Sequence, residues 1–268
     1  MSRSGYYAWR ARVDQQPRGR ASADAATLAE IHQIHLQFRY YGAPRIHREL
    51  LRRQHRAGRH RVARLMRLNA IRARRGKPKR RPRSAPPARR PEVSDRVQRH
   101  FHAQVPNALW FTDVTMIRTG QGWLRAAVVQ DAFNRELISW AVADHETPQT
   151  ALQALGEAIV ARHPPPGCII HSDRGYQYTS ADWLDLAAAH RLEVSIGERG
   201  SALDNAAIES WFASYKTEEL YPNGQPATRD EARRRLFLYI WNYNNHRLHS
   251  TLGFTTPHSY AAASSICP

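Results

Sequence analysis

The sequence predicts an α/β fold, in which a mixed sheet is covered by helices, and a small all-helical unit that precedes it. Three β-rich segments follow one another closely after residue 108, and helical and β-rich segments then alternate. Consecutive strands joined by short turns form antiparallel pairs, whereas alternating strands and helices form parallel ones. Before residue 72 the apolar residues instead recur at helical spacing, which predicts helices there.

Residues 1–71 form the predicted helical unit, with three short helices between residues 24 and 71. Asp24 is a suitable N-cap for the first helix. Pro44 suits the first turn of the second helix, and Gly58 separates that helix from the third.

The third predicted helix has an apolar face and a basic face, and the basic face carries Arg59, Arg61, Arg64 and Arg67. Short helices that end in a basic one are typical of a helix-turn-helix DNA-binding unit. The alternative is a small helical bundle with a solvated basic face.

Residues 72–100 form a predicted basic linker, because proline and like charges at this density prevent helix and core formation. Its candidate phosphate contacts are Arg74, Arg75, Lys77, Lys79, Arg80 and Arg81.

Positive charge is concentrated before residue 101. Residues 1–100 carry 27 Lys and Arg against 6 Asp and Glu, whereas residues 101–268 carry 13 against 17. A concentrated basic region predicts a polyanionic partner, and an affinity that falls steeply as salt is added. A solubilising disordered tail is the alternative, and the helical spacing of Leu and Ile argues against it.

Residues 101–268 form the predicted α/β domain. The expected strands are Leu109–Ile117, Trp123–Ala132, Glu136–Ala143, Cys168–His171 and Leu192–Ile196. The expected helices are Gln149–Arg162, Ser180–His190, residues 204–212 and Arg229–Asn245.

The two cysteines, Cys168 and Cys267, form neither a CxxC pair nor a disulfide framework, and Cys168 is expected to be a buried thiol. No apolar segment approaches the length of a membrane helix, and the N-terminus lacks an apolar signal core. We therefore expect a cytoplasmic protein without a membrane partner.

Three carboxylates, Asp113, Asp173 and Glu209, lie in local sequences that are unusual for an acidic residue exposed to solvent. Asp113 lies inside an apolar strand, Asp173 ends another, and Glu209 lies on a predicted helix; 59 and 35 residues separate them. Aspartate is disfavoured within strands, and its unpaired burial is costly. Hard oxygen donors that converge from two strands and a helix suit paired Mg²⁺ or Mn²⁺ ions in phosphoryl transfer.

Each carboxylate also has an ordinary structural explanation. Asp113 could form a buried salt bridge, Asp173 could cap a turn before Gly175, and Glu209 could be an exposed helix residue. Together these explanations require three contexts to agree by chance, which favours a shared metal site.

Two further residues share the predicted helix with Glu209. Asn205 lies four residues before it and Lys216 seven after it, so all three lie on nearly the same face. Lys216 could meet a DNA phosphate near the scissile bond, and Asn205 is also a candidate DNA contact. A chance surface lysine is the alternative.

The longer motifs around these residues resemble the insertion-sequence transposases related to retroviral integrases. They are Trp110-Phe-Thr-Asp-Val-Thr115, His171-Ser-Asp-Arg-Gly-Tyr-Gln-Tyr-Thr-Ser180, Asp204-Asn-Ala-Ala-Ile-Glu-Ser210, Tyr41-Gly-Ala-Pro-Arg-Ile46, and Trp241-Asn-Tyr-Asn-Asn-His-Arg-Leu-His-Ser-Thr-Leu-Gly253 with Pro257 and Tyr260.

The resemblance implies a ribonuclease-H-like core with a mixed five-stranded sheet, and a metal-binding triad of Asp113, Asp173 and Glu209. It implies cleavage at transposon ends and transesterification by a 3′-hydroxyl, with Mg²⁺ or Mn²⁺ and without a nucleotide cofactor. The His/Cys zinc unit of retroviral integrases has no counterpart in the sequence, so zinc is not expected.

The implied partners are double-stranded DNA at transposon ends and target, further copies of the chain assembled on that DNA, and a fusion partner from an upstream reading frame. The implied location is the bacterial cytoplasm, in association with the nucleoid. The alternatives are a non-catalytic DNA-binding remnant or regulator of an insertion element, and a structure-selective nuclease on the same core.

Overall fold

The computed structural model describes residues 2–4, 6–7, 20–74, 76, 94–98, 100–197 and 205–264. The chain forms two compact units, Met1–Arg75 and Gly76–Pro268. Outside the described residues lie Cys267 and most of the predicted linker contacts, namely Arg75, Lys77, Lys79, Arg80 and Arg81.

Between residues 20 and 74 the first unit contains three helices, as predicted: α1 (Arg20–Gln37), α2 (Ala43–Arg52) and α3 (Arg59–Leu68). Proline lies in the first turn of α2, where its missing N–H costs nothing. The apolar stripes of the helices meet in a core that contains Ile31, Ile34, Phe38, Ile46, Leu50, Val62, Leu65 and Met66.

The N-cap role predicted for Asp24 is wrong. Helix α1 begins at Arg20, so Asp24 lies inside it. The Asp24 carboxylate instead accepts hydrogen bonds from Nε of Arg61, at 2.6 Å, and from Nη2 of Arg64, at 2.5 Å, both on α3. The Arg64 hydrogen bond is the largest cause that holds the pKa of Asp24 below its usual range, and Arg61 adds to it.

A mixed five-stranded sheet forms the centre of the second unit, as predicted. Its strands are β1 (Leu109–Thr119), β2 (Gly122–Asp131), β3 (Leu137–Ala143), β4 (Ile169–Ser172) and β5 (Glu193–Ile196), in the order β3-β2-β1-β4-β5. β1, β2 and β3 pair antiparallel, whereas β4 pairs parallel to both β1 and β5. β1 is therefore the central strand.

Helices cover both faces of the sheet. α4 (Pro148–Arg162) and α5 (Ala181–Ala189) pack on one face, and α6 (Ala206–Tyr215) and α7 (Arg229–Asn245) pack on the other. Successive strand residues point to opposite faces, so Trp110 of β1 packs on the α4 side and Phe111 on the α6 side.

Shorter helical segments complete the second unit. They are turns at Tyr176–Thr179, Lys216–Leu220, Tyr221–Asn223 and Ser250–Leu252, and the helix α8 (Pro257–Ser264). The Lys216–Leu220 turn is a wider, π-type turn that continues directly from α6.

Capping residues fix the starts of three helices close to where the sequence places them. The side chains of Thr147, Ser180 and Thr228 accept backbone N–H groups in the first turns of α4, α5 and α7. Each bond satisfies one N–H that the helix itself leaves unpaired.

The end of the predicted linker packs on the second unit. Val97 is buried in the core between the sheet and α6. Asp95 Oδ1 accepts the backbone N–H groups of Val97 and Gln98, and Arg96 pairs with Glu193 of β5 at 2.7 Å. Residues 94–98 therefore belong to the α/β unit and not to the linker, because Val97 is buried there and Asp95 forms a turn beside it.

Cys168 is buried beneath α4 and α5, as predicted. Burial raises the pKa of its thiol to about 12, which keeps the thiol protonated and unreactive. Within the described ranges, none of the helices has the length and apolar character needed to cross a membrane.

A buried ion pair joins the end of α6 to the segment after α7. Arg247 donates from Nε to Glu218 Oε2 at 2.9 Å and from Nη2 to Oε1 at 2.7 Å. The Tyr239 hydroxyl donates to the same Oε2 at 3.0 Å. Because both charged side chains are almost fully buried, each depends on the other for compensation.

We predict that Arg247→Met destabilises the protein by about 3–5 kcal/mol, because it leaves the Glu218 charge buried without its partner. Equilibrium unfolding in urea measures the change. Glu146→Gln is the matched control, since Glu146 pairs with Arg125 while 63% of its side chain is exposed. Exposed pairs contribute about 0–1 kcal/mol, so equal effects of the two variants would contradict the prediction.

Candidate active site

Asp113 lies in β1, and Asp173 directly follows β4, the strand that pairs parallel to β1. β1 and β4 pair with Phe111 opposite His171. Asp113 lies two residues beyond Phe111, and Asp173 two residues beyond His171. Continued two residues past the last pair, the register would set Asp113 opposite Asp173 on the face that Phe111 occupies, at the spacing of neighbouring strands, about 4.8 Å.

Asp113 is half-buried within β1, opposite Val128 of β2. Its Oδ1 accepts the backbone N–H of Val114 at 2.8 Å. An aspartate at the centre of a sheet is unfavourable by propensity alone, so its position demands compensation by other groups.

Asp173 directly follows β4 and begins a turn. Its Oδ1 accepts the backbone N–H of Gly175 at 2.8 Å, so the turn-capping role that the sequence allows is present. The residue is exposed as a whole, yet desolvation of its carboxyl group raises the pKa of Asp173, against the opposing effects of Gly175 and His171. A capping bond and a metal-binding role are compatible, because the carboxylate has further lone pairs.

Glu209 lies in the first turn of α6 and is exposed. Just before this helix, Asn205 donates from Nδ2 to the carbonyl oxygen of Thr112 at 3.5 Å, next to Asp113 in the chain. Apolar residues of α6, including Ile208 and Trp211, are buried against the Phe111 face of the sheet. The helix that carries Glu209 therefore begins beside Asp113, on the same face.

The structure does not assemble the three carboxylates into a ligand set. Among the residues that it describes, no group of three His, Cys, Asp or Glu side chains is close enough to hold a metal ion. It brings Asp113 and Asp173 to adjacent strands and Glu209 to the helix beside them.

The donor set suits a hard cation nevertheless. Two carboxylates on adjacent strands offer the oxygen ligands that Mg²⁺ prefers. The side-chain oxygen Oδ1 of Asn205 is buried and has no hydrogen-bond partner within the described part of the chain. A buried polar atom without a partner indicates a water molecule or an ion that completes the site.

Tyr178, in the motif that contains Asp173, is a residue to which the sequence alone assigns no role. It is fully buried in the helical turn after Asp173, and its ring packs edge-on against Trp183 at 5.0 Å. Burial raises the pKa of the Tyr178 phenol, and the charges of Asp113 and Asp173 raise it further. Tyr178 belongs to the core on the α4 side, with Trp110, and not to the face of the sheet that Phe111 occupies.

Lys216 follows α6 directly, at the start of the π-type turn. Its Nζ lies 5.8 Å from the ring centroid of Phe212, a distance at which an ammonium group is attracted to an aromatic face.

The four arginines of α3 divide into two pairs. Arg61 and Arg64 bind Asp24 within the first unit, whereas Arg59 and Arg67 are exposed. The backbone N–H of Arg74, the described member of the linker contacts, donates to the carbonyl oxygen of Arg39 at 2.7 Å.

Comparison with known proteins places both units in described families. The Integrase core domain family matches residues 103–202 and, through a second description of that domain, residues 190–257. The HTH-like domain family matches residues 22–79.

Full-length relatives and a solved structure agree with these matches. Transposase InsF for insertion sequence IS3A of Escherichia coli K12 is 34% identical over 264 residues, which cover 97% of this chain and 90% of that protein. The 31 kDa protein of insertion element IS600 of Shigella sonnei is 33% identical over 264 residues, which cover 97% and 94%.

A chain of the simian T-cell lymphotropic virus intasome, solved in complex with PP2A regulatory subunit B56 gamma, covers 89% of this chain and 76% of its own length, with a TM-score of 0.53 and 18% identity. This likeness concerns the fold alone.

The extent of identity to InsF, together with the integrase core match, shows that the chain belongs to the insertion-sequence transposases that carry an integrase core domain.

Proposed function

We propose that this transposase performs metal-dependent cleavage at the ends of its element and joins the freed 3′-hydroxyl to target DNA. One observation carries the proposal: Asp113 lies in β1 and Asp173 directly follows β4, the strand that pairs parallel to β1, and each is two residues beyond the register pair of Phe111 and His171. Two carboxylates brought together in a sheet carry a cost in mutual repulsion, and a bound cation would offset that cost.

Asp113, Asp173 and Glu209 are the residues that would hold Mg²⁺ or Mn²⁺. We assign Glu209 as the third carboxylate because Asn205 fastens the start of its helix to β1 beside Asp113. When bound, the ions would activate the attacking oxygen and stabilise the leaving 3′-oxygen.

Lys216 is the remaining group that we assign to the site. This lysine, in the turn that continues from the helix of Glu209, can contact a phosphate near the scissile bond.

We further propose that duplex DNA, both element end and target, is bound by the helical first unit and the basic residues that follow it. The excess of 27 Lys and Arg over 6 Asp and Glu before residue 101 supports this assignment. Assembly of several copies on DNA, association with the nucleoid and fusion to an upstream-frame product belong to the same proposal.

We predict that Asp113→Asn, Asp173→Asn and Glu209→Gln each abolish cleavage and joining of element ends in Mg²⁺ or Mn²⁺, because an amide is a far poorer metal ligand than a carboxylate. DNA affinity should stay nearly unchanged. Strand products on a denaturing gel and a filter-binding titration measure the two properties in the same preparations.

Glu157→Gln is the matched control, because Glu157 is an exposed acid on α4, on the opposite face of the sheet from α6. It should retain full activity. Activity that survives one of the three site substitutions would remove that residue from the proposed triad. DNA binding by the wild-type chain without any strand cleavage would favour the alternative of a non-catalytic remnant.

We predict that deletion of residues 1–91 flattens the dependence of DNA affinity on salt, because it removes most of the basic side chains that displace counterions from DNA. Titrations of one duplex between 50 and 200 mM salt give the slope of log affinity against log salt. An unaltered slope would place the binding surface elsewhere. Circular dichroism of the truncated protein checks that its sheet is retained.

A further inference from the structure

Asp24 lies on the inner stripe of α1. The helix buries Thr27, Ile31 and Ile34, and Asp24 precedes Thr27 at three-residue spacing, one turn earlier on that stripe. Its side chain is only 19% exposed. The carboxylate therefore belongs to the contact between α1 and α3.

Arg61 and Arg64 satisfy this carboxylate from the facing helix, one on each oxygen. Nη2 of Arg61 is itself buried, so this guanidinium lies partly inside the unit. Each arginine already uses part of its charge and hydrogen-bonding capacity on Asp24, and the two side chains are only 29% and 33% exposed. A DNA phosphate that approached either arginine would also approach the Asp24 carboxylate, and like charges repel.

A different face of α3 is open. His60, Ala63 and Arg67 are all exposed and follow one another at i, i+3 and i+7, so they form one stripe. Arg59 is exposed at the first residue of the helix. The small side chain of Ala63 at the centre leaves room for close approach of the helix to a groove wall, with a basic group on either side.

We propose that α3 contacts duplex DNA through Arg59, His60, Ala63 and Arg67, whereas Arg61 and Arg64 are positioning residues that hold α3 against α1 through Asp24. This inference rests on the proposed function only in that duplex DNA is the partner. It divides one run of arginines into two DNA contacts and two internal ones.

The test compares Arg59→Met and Arg67→Met with Arg61→Met and Arg64→Met in the full chain. All four remove one positive charge from the same helix and keep an alkyl side chain. Affinity for a labelled duplex that carries an element end is measured between 50 and 200 mM salt, and the melting temperature of each variant is measured without DNA.

Each exposed-face variant should lower the slope of log affinity against log salt by about 0.9, which is roughly a 3-fold change over that salt range, with an unchanged melting temperature. Each Asp24-bonded variant should lower the melting temperature and leave the slope at the wild-type value. The reverse pattern, or equal loss of slope in all four variants, would overturn the inference.

Asp24→Asn keeps the shape of the side chain, and it provides the same test if the Arg61 or Arg64 variants do not fold. We expect a lower melting temperature and no steeper slope. If the slope of log affinity against log salt became steeper by the amount expected for two more phosphate contacts, both arginines would bind phosphate once released from the residue at position 24. The inference would then fail. Absence of salt-dependent duplex binding by the wild-type chain would instead contradict the proposed function itself.

Discussion

The parallel pairing of β1 with β4 is the contact on which the candidate site depends. It sets Phe111 opposite His171, and the two aspartates follow from that register. Because side chains alternate between faces, a slip of one residue would turn Asp173 to the α4 side and separate the pair. β1 resists such a slip, since Trp110 and Phe111 are fully buried on opposite faces of the sheet.

The third carboxylate depends on a second set of contacts, which hold α6 from both ends. Asn205 binds the backbone of β1 before the helix starts. At the other end Arg247 pairs with Glu218 and also donates to Ser214 at 3.4 Å. Arg247 lies within the C-terminal motif, far along the chain from Glu209. That motif therefore contributes a structural support for the helix of the site.

Features that depend on a single element were predictable from the sequence. Alternation and helical periodicity predicted the five strands and the main helices to within a few residues. Caps such as Thr147 are local in the sequence, so helix starts are predictable too. The sequence could not show that Asp24 binds Arg61 and Arg64, because that contact joins two helices whose packing has no local signal. Tyr178 was missed for the same reason: the charges of both aspartates act on its phenol only after β1 and β4 pair.

The uneven distribution of charge makes the two parts of the chain dependent on each other. Residues 101–268 carry 13 Lys and Arg against 17 Asp and Glu, and they contain all three candidate carboxylates. A net negative segment gains no long-range attraction for DNA. Under the proposed function, the excess of positive charge before residue 101 would supply the attraction for the phosphate backbone. Divalent ions held by the carboxylates would lower the local repulsion at the site.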